Sequence, residues 1–582
     1  MSPPLSFLAK VGPTVPRRSR FGTPGGVGLR SGVGTNVALA VLVAVGCASS
    51  PRAPRMEPSP PRALGSAPRS SRAPFLRNRD ALGPGRANEK GMAASDEGAK
   101  VATIATREDP RTVEEPPKTS LPRITSVGLF TTIYVMPSRT SYPLGYVHVG
   151  SSVALRRVEP LRIEGCETAW YAVEPRGFVC NDNTSILETE QRQLSPSTER
   201  LLKGFQSIAP SDGPLPYGYA LSLGTPMYGR IPAPIEQIEH ESMYGPQPIA
   251  LGSWAKGHDG LASPDPVPPK GELPWFLANG SFAPVTVRGG DARVVRKLAP
   301  RGSMISFSSA FEAEGRTWLL TPDLSIVPAD RVRVYRPTSF HGVELGEGLR
   351  LPIGWIRTRP KPKWRGGEGG RIVQTDEAWG VRTAVGLTGN RVTQEGRVLL
   401  ETVERGTYLD ETDAAVVERG AERPSRAGPA DKWIRISILN GTLTAYEGDK
   451  PVFATLISPG IGGVSRSKYP SIHALASRHT TPLGVHRIQF KDRFSVMSPD
   501  PGQKKFFISD VPHIQYFYGP FALHASFWHE DFGEPKSGGC INLSPADAER
   551  LFGWTDPPLP PGWHAVRPGG PNGPGTIVQI VP

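Results

Sequence analysis

The residues that can do chemistry gather near the C-terminus, in Leu523-His524-Ala525-Ser526-Phe527-Trp528-His529 and Lys536-Ser537-Gly538-Gly539-Cys540-Ile541-Asn542-Leu543. A cysteine follows two glycines and leads into an apolar run, with a histidine sixteen positions upstream. The thiolate, not the thiol, attacks, so a nucleophilic cysteine needs a base in reach. It also needs backbone N–H groups aimed at the developing oxyanion. Gly538 and Gly539 permit backbone conformations that other residues resist, so they can expose Cys540 and present such amides. The pattern points to a cysteine nucleophile whose base, His524, is returned to it by a folded-back chain. The competing reading is a cysteine buried in a glycine turn. Ser537 and Asn542 are placed to buttress that turn by hydrogen bonds, and Ala525 flanks the histidine. Phe527 and Trp528 are either lid or core. His529-Glu530-Asp531 reads as an exposed polar loop rather than a set of metal ligands, and the pattern implies neither metal nor cofactor.

The elements that must hold this stretch begin near residue 431. Lys432-Trp-Ile-Arg-Ile-Ser-Ile-Leu, Asn440-Gly441 and Thr442-Leu-Thr-Ala-Tyr-Glu alternate as strand, turn and strand, the signature of a hairpin. A further strand is expected at Val452-Phe-Ala-Thr-Leu-Ile-Ser, then Thr481-Pro482-Leu483-Gly484 and Val485-His-Arg-Ile-Gln-Phe. Ser544-Pro-Ala-Asp-Ala-Glu-Arg-Leu-Phe reads as a helix capped by Ser544, with Asp547 at its third position.

Upstream the chain is too long for one core, and its 582 residues carry 65 glycines and 63 prolines, which favours many short strands over long helices. The fold expected is mainly β and multidomain. Residues 123–190 hold short β-prone runs, followed by a connecting segment at 191–272, with a short helix from Ser195 to Phe205. A second β unit at 273–336 loosely echoes the first, and 337–430 is a β-containing region and linker before a C-terminal domain at 431–582. Cys166 and Cys180 flank Trp170-Tyr-Ala-Val and Gly177-Phe-Val. In an exported chain this spacing reads as a disulfide stapling a hairpin, stabilising by about 3 kcal/mol in the chain-entropy model, with a metal site as the alternative.

The formal net charge of +13 raises the possibility of nucleic acid. Met1–Lys100 holds 15 Lys and Arg against 5 Asp and Glu, so ten of the thirteen net charges lie in the leader. No helix-turn-helix, zinc-finger or aromatic RNA-binding pattern accompanies them, which excludes a nucleic-acid partner. Arg17, Arg18, Arg20 and Arg30 precede an apolar run, Val37–Gly46, that ends at Cys47. A basic stretch followed by an apolar one too short to span a bilayer is the pattern of an export signal at 1–47. Residues 48–122 are rich in Pro, Ala, Ser and Arg and read as a disordered tether.

Three resemblances add to this reading. Val45-Gly46-Cys47-Ala48 resembles the lipobox of bacterial lipoproteins, which implies lipidation at Cys47, with an ordinary secretory signal as the alternative. The strand spacing at 123–190 and 273–336 resembles bacterial SH3-like barrels. Most specifically, the hairpin, Thr481-Pro482-Leu483-Gly484 and the closing His524 … Ser537-Gly538-Gly539-Cys540-Ile541-Asn542-Leu543 resemble L,D-transpeptidases of the YkuD type over residues 431–582. That resemblance implies a β-sandwich or barrel with a short helix after the nucleophile. It also implies Cys540 as nucleophile, His524 as base and Gly539 with Cys540 as oxyanion donors. The implied substrate is a peptidoglycan tetrapeptide stem, passed to an amine acceptor on another stem or on an envelope protein. The setting would be the periplasmic face of the envelope, with a lipid anchor in the outer membrane. The family usually reads Ser-His-Gly-Cys where this chain has Gly538. That departure keeps alive an L,D-carboxypeptidase or amidase, or a catalytically impaired wall-binding scaffold.

Overall fold

The computed structural model describes residues 122–582, apart from 164, 189–193, 243–256, 286–292 and 499–505. The export signal, Cys47 and the tether to residue 121 lie outside the described residues. Among those described, the chain is mainly β and multidomain, organised in five sheets. No helix among them is long and apolar enough to cross a membrane.

The C-terminal hairpin forms as its alternation requires. Strands Lys432–Ser437 and Thr442–Glu447 pair antiparallel from Lys432↔Glu447 to Ser437↔Thr442. The connection is therefore four residues, Ile438 to Gly441, longer than the expected two-residue Asn-Gly turn. A Cβ on Gly441 would lie 2.3 Å from the Gly533 carbonyl oxygen, so the turn packs on the loop that precedes Cys540. Lys450–Leu456 continues the sheet on one side, while Ile577–Val581 joins Lys432–Ser437 in parallel on the other. Facing this sheet are Ile508–Tyr518, Phe521–Ala525 and Ile541–Leu543, and the helix Pro545–Trp554 packs into the core they share with it. Ile434, Ile436, Leu443, Phe453, Phe517, Leu523, Ile541 and Leu551 fill the core between. Ser544 caps the helix as expected, its Oγ accepting from Asp547 N–H at 3.2 Å.

The other face of Ile508–Tyr518 is also buried, so nine of its eleven residues are buried although Ser509, Asp510, His513 and Gln515 are polar. It is covered by upstream residues, among them Tyr217, Tyr219, Leu221, Met304 and Tyr335. The expected separation into closed SH3-like barrels is accordingly not what forms. Among the described residues the strands lie in open sheets, and one twelve-stranded sheet runs from the upstream strands into the C-terminal domain. One joint is Met304↔Ile508, in parallel. The other is Pro143–His148 against Ala565–Val566, where a Cβ on Gly145 would lie 2.0 Å from the Ala565 carbonyl oxygen. Edge strands that a barrel would close on themselves are instead paired across the chain, which leaves fewer open edges.

The segment 191–272 is more than a connection: beside the helix Pro196–Gln206, capped by Ser195, it supplies the strands Gly218–Ser222 and Thr225–Tyr228. Both pair with strands from 295–334, so the second β unit begins before residue 273. The region 337–430 forms a seven-stranded sheet that includes Ile372–Trp379 and Ala384–Gln394, whose polar residues are largely exposed on both faces. Cys166 and Cys180 form a disulfide.

Candidate active site

Phe521–Ala525 and Ile541–Leu543 are parallel neighbours, with Leu523↔Ile541, His524↔Asn542 and Ala525↔Leu543 as partners. Side chains alternate along both strands. Leu523, Ala525, Ile541 and Leu543 enter the core between the sheets, while Ala522 and Cys540 face the other way, with Phe527 and Trp528. The His524 ring lies 6.0 Å from that of Trp528, on the same face as the cysteine. The register therefore places on one face of the sheet two residues that sixteen positions separate in sequence.

The Gly538-Gly539-Cys540 turn is tied down on three sides. Ser537 Oγ accepts from the Gly539 N–H at 3.0 Å and donates to the Cys540 carbonyl. Thr481 Oγ1 donates to the Gly539 carbonyl at 3.0 Å and accepts from the Gly460 N–H at 2.9 Å. Ser458 pairs with Asn542 through backbone bonds, and Gly460 bridges to Ser537. Gly539 sits at φ +125°, a conformation that L side chains rarely adopt, and a Cβ there would lie 2.5 Å from the Phe521 ring. Its expected part as an oxyanion donor meets an obstacle, because its N–H is already spent on Ser537. Gly538 has an open Cβ direction, with His479 Nδ1 3.8 Å away.

Electrostatically the pair is neutral at rest. Burial lowers His524 to about 4, and the Ala525 backbone partner opposes that shift only in part. Its Nδ1 lies 2.9 Å from the Ala525 carbonyl oxygen. A carbonyl only accepts, so Nδ1 carries the proton and Nε2 keeps its lone pair. Ala525 thus supports the histidine through its backbone. Enclosure of the Cys540 sulfur pushes the thiol up to about 11, against a smaller lowering by the Ala522 N–H. The thiol donates to the Pro520 carbonyl oxygen at 3.8 Å, and among the described residues no hydrogen bond joins it to His524.

His529 is a correction: it is 2% exposed and belongs to the interior, not to a polar loop. Its Nδ1 accepts from the Asp531 N–H at 3.2 Å, so Nε2 carries the ring proton. The Asn542 amide nitrogen lies 3.0 Å from Nε2, and with the proton on Nε2 the amide must turn its oxygen toward the ring to accept from it. Asn542 therefore braces a second histidine as well as the turn. Phe527 and Trp528 are core, with the Tyr219 ring stacked on Phe527 at 3.9 Å. Among the described residues no group of three or more His, Cys, Asp and Glu side chains is placed to hold a metal ion. Gly460, Ser458 and His258, the last stacked 6.2 Å from His529, carry no local signal that marks them as site residues.

Residues 431–580 match the family model of the YkuD L,D-transpeptidase catalytic domain. Solved structures similar to the chain include an L,D-transpeptidase from Xylanimonas cellulosilytica at 22% identity, over 28% of this chain and 65% of that one, with a TM-score of 0.18. The catalytic domain of the Enterococcus faecium L,D-transpeptidase matches at 21% identity, over 27% of this chain and 100% of that one, TM-score 0.19. L,D-transpeptidase 3 of Mycobacterium tuberculosis matches at 18% identity, over 38% and 79%, TM-score 0.19. The chain spans less than two thirds of the Xylanimonas cellulosilytica protein. No curated protein matches it.

Proposed function

We propose that the chain is an exported peptidoglycan L,D-transpeptidase in which Cys540 is the nucleophile and His524 its base. The observation that carries this reading is the parallel register that sets Cys540 on the same sheet face as His524, whose Nε2 is left as an acceptor. The Cys540 side chain turns from Pro520, and Nε2 takes its proton as Sγ attacks the carbonyl carbon of the third residue of a tetrapeptide stem. The oxyanion is met by turn amides other than that of Gly539, the Cys540 N–H first among them. Collapse breaks the bond to the nitrogen of the terminal D-alanine, which leaves with the proton from His524. An acceptor amine then attacks the thioester and gives its proton to His524. Sγ departs, and the new amide joins donor to acceptor. The acceptor is a second stem or an envelope protein, and a lipid on Cys47 would hold the chain at the outer membrane's periplasmic face.

The test is covalent labelling. Full-length protein incubated with a carbapenem or a tetrapeptide stem should gain one adduct by mass spectrometry, lost in Cys540→Ala and slowed in His524→Gln. An unlabelled wild-type protein overturns the reading. Digested muropeptides then separate transfer from hydrolysis: cross-linked dimers mean transfer, and trimmed tripeptides mean a carboxypeptidase.

A further inference from the structure

The turn that presents Cys540 is not flanked by His524 alone. A second imidazole, His479, approaches it from a separate segment, with Nδ1 3.8 Å from where a Cβ on Gly538 would stand. Several contacts hold it there. The His479 N–H donates to the Ala476 carbonyl at 3.1 Å, and its own carbonyl accepts from the Gly462 N–H at 2.8 Å. Gly460 is a glycine for a steric reason, since a Cβ there would lie 2.3 Å from the His479 oxygen and 3.0 Å from Gly539 Cα. Two residues on, Thr481 Oγ1 donates to the Gly539 carbonyl. His479 itself adopts φ +54°, a left-handed conformation uncommon outside glycine and costly to hold. Burial lowers its pKa, which keeps the ring neutral at neutral pH.

We infer that His479 is a positioning residue of the nucleophile turn, an imidazole delivered from the 460–481 segment into the space that a side chain at position 538 would otherwise fill. This rests on the transpeptidase reading and refines it: Gly538 does not leave a gap, because the ring that faces it comes from elsewhere. Gly538 and His479 form a complementary pair, in which the absence of one side chain admits the other. A ring placed there limits the motion of the Gly538–Gly539 peptide and contributes a polar wall beside Gly538.

The experiment measures the rate of carbapenem acylation of the full chain by mass spectrometry for His479→Asn, Gly538→His and the double variant. Asparagine tolerates the left-handed backbone, so His479→Asn removes the imidazole without forcing the loop. Expected are an unchanged melting temperature and a rate lower by about tenfold in His479→Asn, below the hundredfold or more that a proton-transfer group contributes, because the ring positions the turn and exchanges no proton. Gly538→His alone should also slow acylation, because two rings compete for one space. The double variant should recover much of the wild-type rate, which a merely structural role for His479 would not predict. Wild-type acylation in His479→Asn, or no recovery in the double variant, overturns the inference while leaving the transpeptidase reading intact. Absence of acylation in the wild-type protein removes the reading itself.

Discussion

Gly539 and Gly538 are neighbours in one turn, and the structure assigns them opposite tolerances. Gly539→Ala places a methyl 2.5 and 3.0 Å from carbons of the Phe521 ring and 3.2 Å from the Thr480 carbonyl, on a backbone at φ +125°. A non-glycine residue in so sparsely populated a region costs on the order of 1–3 kcal/mol. Forcing a methyl into a packed wall costs roughly another 1–3 kcal/mol. Phe521 is 2% exposed and belongs to the core between the sheets, so its ring has little room to retreat. The expected loss is therefore about 2–6 kcal/mol, with a melting temperature lower by at least about 4 °C if the domain unfolds cooperatively. If the turn relaxes instead, the Gly539 carbonyl leaves Thr481 and Cys540 moves with it, so acylation falls even where the fold survives. Gly538→Ala is the control: its Cβ meets only His479 Nδ1, at ordinary contact distance. It should melt within about 0.5 kcal/mol of wild type, as surface substitutions away from special features do. Differential scanning calorimetry and carbapenem acylation of the two variants decide the matter. A Gly539→Ala protein with wild-type melting and acylation would refute the account of the turn, as would a Gly538→Ala protein as damaged as its neighbour.

Two other outcomes are expected. Burial lowers His148, His258 and His529 to about 3 and His513 and His524 to about 4. An unfolded histidine titrates near 6.5, so below that pH the unfolded chain binds more protons than the folded one and stability falls. The loss begins as pH drops through about 6.5 and approaches about 1.4 kcal/mol per pH unit for each histidine before ending near the folded values. A melting temperature that stays flat from pH 7 to pH 5 would contradict this. The second concerns truncation. A fragment of residues 431–582 loses Tyr219 and Tyr335 from the face of Phe527, which they touch at 3.9 and 5.4 Å between ring centres. It also loses the strand partners at Met304 and Gly145. Re-exposing each large side chain costs about 1.5–3 kcal/mol. The fragment should melt lower and acylate more slowly than the full chain; equal values would mean the upstream strands are dispensable.

What was legible in the sequence is what local chemistry dictates. The hairpin at 432–447 declares itself by alternation and by Asn440-Gly441, whose glycine then adopts φ +64°. The helix after the nucleophile declares itself by Ser544 and Pro545, and the turn by Gly-Gly-Cys. What stayed hidden depends on partners far away. His529 followed by Glu530 and Asp531 looks like solvent, yet His258 and Asn542 enclose it. The joints at Gly145 and Met304 rest on one or two residue pairs between strands hundreds of positions apart, and nothing in either strand marks its partner. Ala384–Gln394 begins apolar and continues polar, so its second half gives no strand signal although it pairs with Arg397–Thr402.

Those joints bear on the chemistry as well as the architecture. The face that carries Cys540 is closed partly by Tyr217, Tyr219 and Tyr335, none of which belongs to the catalytic domain. Burial pushes the Cys540 thiol up and the His524 imidazole down, so both groups are neutral near neutral pH. A thiolate–imidazolium pair would be attacked by any small electrophile that reached it, whereas a neutral pair forms a thiolate only as a carbonyl arrives to take up the charge. The upstream strands thus help set how dry the site is, and through that how reactive. Opening the wall by Tyr219→Ala should let water reach the sulfur and bring the thiol down toward its ordinary range. Iodoacetamide alkylation as a function of pH reads that shift directly: the midpoint should fall below that of the wild type, and an unchanged midpoint would mean that the catalytic domain alone determines the state of its cysteine.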